Sequence, residues 1–237
     1  MPLIQAIFFD IGDTLVFDNP PLQERLWQAM EKIGLSADKA RLPQAFRQGE
    51  RYAVRRYVAG LPWDDPDVLR ETITRILAVL DLPPLDERLH KELVAAFGAI
   101  SFQRYAHSEA IPLLRELRQR GFILGGISDW ADTLPDLLTE LQIAPFLSAL
   151  AVSDIVGARK PHRLLFEEAL RQAAVPAANA LHIGDWYELD VCGARTVGMQ
   201  TLLFDWMGRA PDADCPRVTS FAELNAYLLA LPMPEKD

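Results

Sequence analysis

The chain has 237 residues, of which half are hydrophobic and 24% charged, and its 24 basic and 33 acidic residues give a formal net charge of −9. This composition is typical of a globular protein and argues against a disordered chain. At about 150 residues per domain, the length suits one large domain or one core with a smaller insertion. The acidic balance argues against a nucleic-acid partner, because such binding depends on clustered Lys and Arg. A small anionic ligand remains compatible with it, since a local pocket can oppose the overall charge.

Redox and targeting signals favour a cytoplasmic protein. Two cysteines, Cys192 and Cys215, cannot form a disulfide framework, so a reducing compartment is the simpler interpretation. The first ten residues carry no Lys or Arg before their apolar run and no small-residue cleavage pattern, and we expect no signal peptide. No apolar stretch approaches the length of about 18 residues that a membrane-spanning helix needs, so we expect no membrane partner.

Short apolar runs alternate with helical patterns along most of the chain. The first run, Leu3–Phe9, is continuous and ends at Asp10, which is typical of a strand buried on both faces of a parallel sheet. Four more strands are predicted at Phe122–Ile127, Phe146–Val152, Ala180–Ile183 and Gln200–Phe204. Leucines with helical spacing lie between the runs, for example Leu113, Leu114 and Leu117. This order predicts an α/β fold with a doubly wound, mostly parallel sheet.

One region departs from the alternation. From about Pro20 to Ile100 the apolar residues recur only at helical spacing, and prolines separate the helical patterns. An all-helical insertion therefore follows the first strand. We predict two domains, an α/β core of residues 1–16 and 101–237 and a helical cap of residues 17–100.

Polar residues follow the predicted strands where the strands end. They are Asp10 with Gly12 and Thr14, Ser128 with Asp129, Lys160 with Pro161, and Gly184-Asp185 with Asp190. Ligands of open α/β sheets bind beyond the carboxyl ends of the strands, so these groups are expected to converge. Carboxylates suit a hard cation such as Mg²⁺. A serine hydroxyl and a lysine ammonium suit a phosphoryl group, because one donates a hydrogen bond and the other supplies a point charge.

The same four motifs, in this order, resemble those of the haloacid dehalogenase-like (HAD) hydrolase superfamily, and the resemblance covers nearly the whole chain. Each motif is weak alone, but four in order, each after its own predicted strand, are specific. The long gap between Asp10 and Ser128 leaves room for the helical cap of one large subgroup, the C1 subgroup. The resemblance therefore implies a Rossmann-like core with an inserted helical cap.

The resemblance also implies an activity, the Mg²⁺-dependent hydrolysis of a small phosphorylated metabolite. Asp10 would attack phosphorus and form an aspartyl-phosphate. The implied Mg²⁺ ligands are Asp10, the backbone carbonyl of Gly12, and Asp185. The implied phosphoryl-binding residues are Ser128, Asp129 and Lys160, with Ser128 and Lys160 also counted as catalytic. Asp190 is expected to orient its neighbours without contacting the metal.

Gly12 departs from the family pattern, which usually has a second Asp two residues after the nucleophile to protonate the leaving group. Such acid–base help is worth about 10²–10⁴ in rate. Two alternatives therefore stay open: a catalytically silent binding protein of this fold, and a dehalogenase or phosphonate-type hydrolase. Asp185 favours a bound cation over a metal-free dehalogenase, because an uncompensated charge would raise the pKa of the nucleophile. Asp13 carries a carboxylate, but it is displaced by one residue along the turn.

Four other features receive structural interpretations. His162 replaces the Asp that usually follows Lys-Pro and is expected to cap a helix. His182 is expected to be a hydrogen-bonded core histidine, and Cys192 to pack inside a helix. Arginines 47, 51 and 55 share one helical stripe, which we interpret as a solvated face in preference to a surface that selects anionic substrates. No motif specifies the substrate or the oligomeric state.

Overall fold

The structure, a computed structural model, describes residues 3–234. Its strands in chain order are β1 Ala6–Phe9, β2 Val16–Asn19, β3 Gln103–Ala106, β4 Ile123–Ser128, β5 Ala149–Val152, β6 Ala180–Gly184, β7 Gln200–Phe204 and β8 Arg217–Val218. Its α-helices are α1 Leu22–Lys32, α2 Leu42–Val58, α3 Pro66–Val79, α4 Glu87–Gly98, α5 Ala110–Gln119, α6 Leu134–Glu140, α7 Ser153–Val156, α8 Arg163–Ala173, α9 Cys192–Arg195 and α10 Phe221–Leu229. Within the described part of the chain, no helix combines the length and apolar character needed to cross a bilayer.

The chain divides into two compact units. The first, the core unit, comprises Met1–Phe17 and Tyr105–Asp237, and the second, the helical unit, comprises Asp18–Arg104. The helical unit contains α1 to α4, and the six-stranded sheet belongs to the core unit. The chain passes from one unit to the other within β2 and again within β3, which pair with each other.

The core unit is built on a six-stranded sheet in the order β5-β4-β1-β6-β7-β8, with every pair parallel. The central strand β1 is buried at all four positions. Its Ile7 and Phe9 join the apolar cluster with α5 and α10, whereas Ala6 and Phe8 join the cluster with α8. Successive side chains of a strand point to opposite faces, so helices cover both faces of this sheet. The predicted doubly wound α/β fold is confirmed.

Several strands differ from the sequence-based expectation. β5 begins at Ala149 and not at Phe146, because the preceding residues Ala144–Phe146 form a 3₁₀ turn with Pro145 in its first turn. The pair β2 and β3 was not predicted, since both strands are short, partly exposed and polar at several positions. β8 has only two residues and is defined by its pairing with β7.

Two smaller predictions concern the side chain of His162 and one face of α2. His162 is the N-cap of α8, and its Nδ1 accepts a hydrogen bond from the Leu164 amide at 3.3 Å, which confirms the capping role. In the helical unit, Arg51 and Arg55 of α2 are exposed and Arg47 is half-buried. The exposure of the first two agrees with a solvated face.

Candidate active site

The register of the three central strands sets the site. Phe9 is level with Gly126 of β4 and with Ile183 of β6, so β1, β4 and β6 end at one edge of the sheet. Asp10 is the first residue beyond β1, and Asp185 is the first residue beyond β6. The polar groups that follow these strands are therefore neighbours in space, as the sequence predicts.

Lys160 lies at the centre of the site between two carboxylates. Its Nζ is 2.6 Å from Asp10 Oδ1 and 2.6 Å from Asp190 Oδ1, and its side chain is only 3% exposed. Burial alone lowers the pKa of Lys160, but the charges of Asp10 and Asp190 outweigh burial and raise that pKa. Lys160 is therefore a permanent cation that ties the two carboxylates together.

The carboxyl group of Asp10 is fixed from two sides. Lys160 donates to Oδ1, and the hydroxyl of Thr14 donates to Oδ2 at 3.3 Å. Burial raises the pKa of Asp10 to about 7, and the negative charge of Asp190 adds to this effect, while Lys160 opposes it. A further cation near Asp10 is expected to keep it ionised at neutral pH.

Asp190 anchors Lys160. It accepts hydrogen bonds from His182 Nε2 at 2.9 Å and from the Trp186 amide at 3.0 Å, in addition to Lys160. Burial raises the pKa of Asp190, but Lys160 and His182 outweigh it and lower that pKa well below its usual range. His182 is buried in β6 and holds Asp190, in keeping with the expected core histidine. Asp190 is thus a permanent anion that orients Lys160.

A steric constraint explains why the Gly184-Asp185 motif has glycine at its first position. A Cβ at Gly184 would lie 2.1 Å from the Asp190 Cγ, a distance that no real contact allows. A single π-helical turn, Tyr187–Val191, brings Asp190 back against this glycine. Such turns are rare and occur frequently at functional sites. Only glycine at this position admits the carboxylate that orients Lys160.

The segment after β4 positions Lys160 from its other end. Ser128 is the last residue of β4 and is buried. Asp129 Oδ1 accepts a hydrogen bond from the Lys160 amide at 2.8 Å. Ser153 fixes Trp130 through hydrogen bonds to its amide and carbonyl at 3.0 and 3.1 Å. The observed contact of Asp129 is with the Lys160 backbone, and its contact with substrate stays a prediction.

The turn after Asp10 has a left-handed residue at Asp13, with φ 53°, whereas the φ of Gly12 is not left-handed. Aspartate is one of the few residues that adopt this conformation readily. The Asp13 carbonyl accepts a hydrogen bond from Trp206 Nε1 at 2.9 Å. A Cβ at Gly12 would meet the Trp130 ring at 3.4 Å, which is ordinary contact. Glycine at position 12 is therefore not required by its φ.

Asp185 has a partner that no sequence motif indicates. The guanidinium of Arg209, from the loop after β7, forms an ion pair with Asp185 Oδ2. Burial still raises the pKa of Asp185 well above its usual range, with Arg209 opposing the shift and the charges of Asp10 and Asp13 adding to it. Burial and the neighbouring carboxylates therefore outweigh Arg209 in setting the pKa of Asp185.

The residues present fit a magnesium ion. Mg²⁺ in proteins is held by one or two carboxylates together with carbonyl groups, water and substrate phosphates. Asp10 and Asp185 are two such carboxylates, both buried, and the charge of Asp10 raises the pKa of Asp185. Gly12 lies in the turn that follows Asp10, where its carbonyl is a further available oxygen ligand. Among residues 3–234 no three His, Cys, Asp or Glu side chains are grouped to hold a metal ion by themselves. A cation here depends on two carboxylates with oxygen atoms from backbone, water or substrate.

This fold and site belong to one class of enzyme. The sequence model of the haloacid dehalogenase-like hydrolase family matches residues 4–198, and the chain belongs to this family. It is thus a hydrolase.

The similarity to individual relatives extends along most of the chain. The haloacid dehalogenase-like hydrolase domain-containing protein 3 of Homo sapiens is 30% identical over 211 residues, covering 84% of this chain and 81% of the relative. A glyceraldehyde 3-phosphate phosphatase of Pyrococcus abyssi is 30% identical over 215 residues, covering 86% and 82%. Among solved structures, a HAD phosphatase from Thermococcus onnurineus aligns with a TM-score of 0.59 at 22% identity, covering 98% of this chain and all of that one. This last likeness concerns the fold alone.

Proposed function

We propose that this hydrolase is a Mg²⁺-dependent phosphatase that acts on a small phosphorylated metabolite through an aspartyl-phosphate on Asp10. The observation that carries the proposal is the position of Lys160, whose Nζ lies 2.6 Å from Asp10 and is oriented by Asp190. A fixed cation beside a buried carboxylate is suited to a phosphoryl group, whose transfer depends mainly on positioning and charge neutralisation. The name of the Pyrococcus relative, a phosphatase of a three-carbon phosphate ester, favours the same class of substrate.

The proposed reaction has two steps. In the first, the Asp10 carboxylate forms a bond to phosphorus, and the bond between phosphorus and the leaving-group oxygen breaks, with its electron pair going to that oxygen. In the second, water attacks phosphorus, the bond to Asp10 breaks, and inorganic phosphate leaves. Lys160 neutralises charge on the phosphoryl oxygens, and the Ser128 hydroxyl donates a hydrogen bond to one of them.

The carboxylates of Asp10 and Asp185 and the carbonyl of Gly12 are the groups proposed to hold Mg²⁺. The ion, when bound, offsets the charge between the nucleophile and the phosphate. Asp10 then stays ionised at neutral pH in spite of its burial. The helical unit, Asp18–Arg104, is proposed to be the cap domain of the family.

Protonation of the leaving group is the step for which the chain lacks the usual residue. Gly12 provides no acid, and the Trp130 ring lies 3.4 Å from the place of a Cβ at that position. The proposal therefore favours phosphate esters and anhydrides whose leaving groups depart without a proton. Acyl and aryl phosphates meet that condition better than alkyl phosphates, so the proposal shares with the Pyrococcus relative a small phosphorylated substrate but not its alkyl leaving group.

Turnover of p-nitrophenyl phosphate and of a phosphometabolite panel, in Mg²⁺ and in excess chelator, tests the proposal. We expect Mg²⁺-dependent phosphate release that Asp10→Asn abolishes and that Asp136→Asn, an exposed carboxylate changed in the same way, leaves unaltered. Halide release from 2-haloacids without metal would instead assign a dehalogenase. No turnover by a folded protein on either panel would favour the catalytically silent alternative.

A further inference from the structure

A further ion pair of the site joins Arg209 to Asp185. Arg209 belongs to the loop that connects β7 with β8, and its guanidinium forms an ion pair with Asp185 Oδ2. The guanidinium also lies over the Trp186 ring, 4.2 Å from its centroid. Its side chain is only 10% exposed. The pair is thus largely withdrawn from solvent, where the loss of one partner leaves a costly uncompensated charge.

The loop that carries Arg209 is fixed by a second buried carboxylate. Asp205 directly follows β7 and is 2% exposed. It accepts hydrogen bonds from the amides of Arg209 at 2.6 Å and of Ala210 at 3.1 Å, and from Arg217 Nε at 2.8 Å. These contacts hold the Arg209 backbone in place while its side chain reaches Asp185. The arrangement is a built feature of the core unit and differs from a surface arginine that pairs by chance.

We propose that Arg209 is the resident counterion of Asp185, and that a divalent cation must displace its guanidinium in order to bind. The inference rests on the proposed Mg²⁺ site. Mg²⁺ requires oxygen ligands at about 2.0–2.1 Å in octahedral geometry, and a guanidinium on the same carboxylate oxygen competes for that position. Two cations on one carboxylate also repel each other.

Two consequences follow from this exchange. Arg209 lowers the apparent affinity for Mg²⁺, because the metal must first break the ion pair with Asp185. Arg209 also stabilises the metal-free protein, because without it Asp185 is a buried carboxylate among other carboxylates. Arg209 is therefore a positioning residue whose effect on the reaction acts through Asp185.

Calorimetric titration of Mg²⁺ into the wild-type chain, Arg209→Gln, Asp185→Asn and Arg195→Gln tests the inference. Arg195 pairs with Asp214 at 2.7 Å and serves as the matched control for the loss of one positive charge. We expect Arg209→Gln to lower the Kd for Mg²⁺ by about tenfold or more, a typical size for two coupled binding events. Arg195→Gln should change it less than about twofold, since an exposed pair contributes little. Asp185→Asn should remove binding.

Wild-type protein gives a second measurement that does not depend on a variant folding. The tryptophan fluorescence of the chain should change on Mg²⁺ addition with a midpoint equal to the calorimetric Kd, because Arg209 leaves the Trp186 ring. In Trp186→Phe that part of the signal should be absent. A wild-type signal that does not respond to saturating Mg²⁺ would count against displacement of Arg209.

The outcomes separate the inference from the proposed function. If Arg209→Gln binds Mg²⁺ with the wild-type Kd or more weakly, while Asp185→Asn loses binding, the exchange is wrong and the metal site stands. If neither the wild-type chain nor Arg209→Gln binds Mg²⁺, the metal in the proposed function fails together with the inference. Binding by Arg209→Gln alone, in the absence of wild-type binding, would be the strongest support.

Discussion

A carboxylate introduced two residues beyond Asp10 should change the leaving groups that the enzyme can expel. The structure accommodates one, because the φ of Gly12 is not left-handed and a Cβ there meets only the Trp130 ring, at 3.4 Å. We therefore expect Gly12→Asp to fold with a stability close to that of the wild-type chain. General acid catalysis is worth about 10²–10⁴ in rate. An added side chain lacks supporting contacts of its own, so we expect a gain near the lower end, about 10²-fold.

The gain should be confined to substrates that need a proton. Steady-state kcat/KM for an alkyl phosphate should rise by up to about 10²-fold in Gly12→Asp relative to Gly12→Asn, the isosteric control that cannot act as an acid. For p-nitrophenyl phosphate the two variants should agree within about threefold, because its leaving group departs without a proton. Gly12→Ala reports whether the position tolerates any side chain, and thermal unfolding should be measured for all three variants.

One pair of results would refute this reasoning about Gly12. If folded Gly12→Asp and Gly12→Asn hydrolyse the alkyl phosphate equally, and the wild-type rate does not depend on leaving-group pKa, the acid is supplied elsewhere. Asp13, whose charge acts on Asp185, is then the first residue to change, as Asp13→Asn.

Three further predictions concern the buried charges. Because folding raises the pKa of Asp10 to about 7, its contribution to stability is present below the unfolded value near 4 and is lost as pH rises to 7, so in chelator the Tm should fall over that range. Asp10→Asn should flatten this slope, and an unchanged slope would contradict the assignment. Lys160→Met should lower the free energy of unfolding by about 3–5 kcal/mol in urea titrations, because it removes the cation that two buried carboxylates share, whereas the exposed Lys91→Met should have little effect. Gly184→Ala should cost about 1–3 kcal/mol and most of the activity, because its Cβ overlaps Asp190; full activity would show that the π-turn is free to shift.

Sequence patterns found the central part of this site because of how parallel sheets are built. Asp10, Ser128 and Asp185 each follow or end an apolar run, and strands that end at one edge bring such residues together. Lys160 was found through its Lys-Pro motif after the third predicted strand. The alternation of buried runs and helical patterns likewise gave the fold class, since period and burial are local properties of the chain.

The tertiary structure alone decided the features that depend on distant or backbone contacts. Arg209 reaches Asp185 across 24 positions of sequence through a loop anchored on Asp205, and no local pattern encodes that reach. Asp205, by contrast, directly follows the fifth predicted strand, a position that the sequence alone indicates. The left-handed residue of the turn after Asp10 is Asp13, whose amide donates to the Val16 carbonyl, and no local pattern distinguishes it in this respect from Gly12. Sequence determined which chemical groups gather at the sheet edge, because strand ends coincide in a parallel sheet. Folding determined which of their charges are balanced, because burial and cross-chain contacts arise only when the chain is packed.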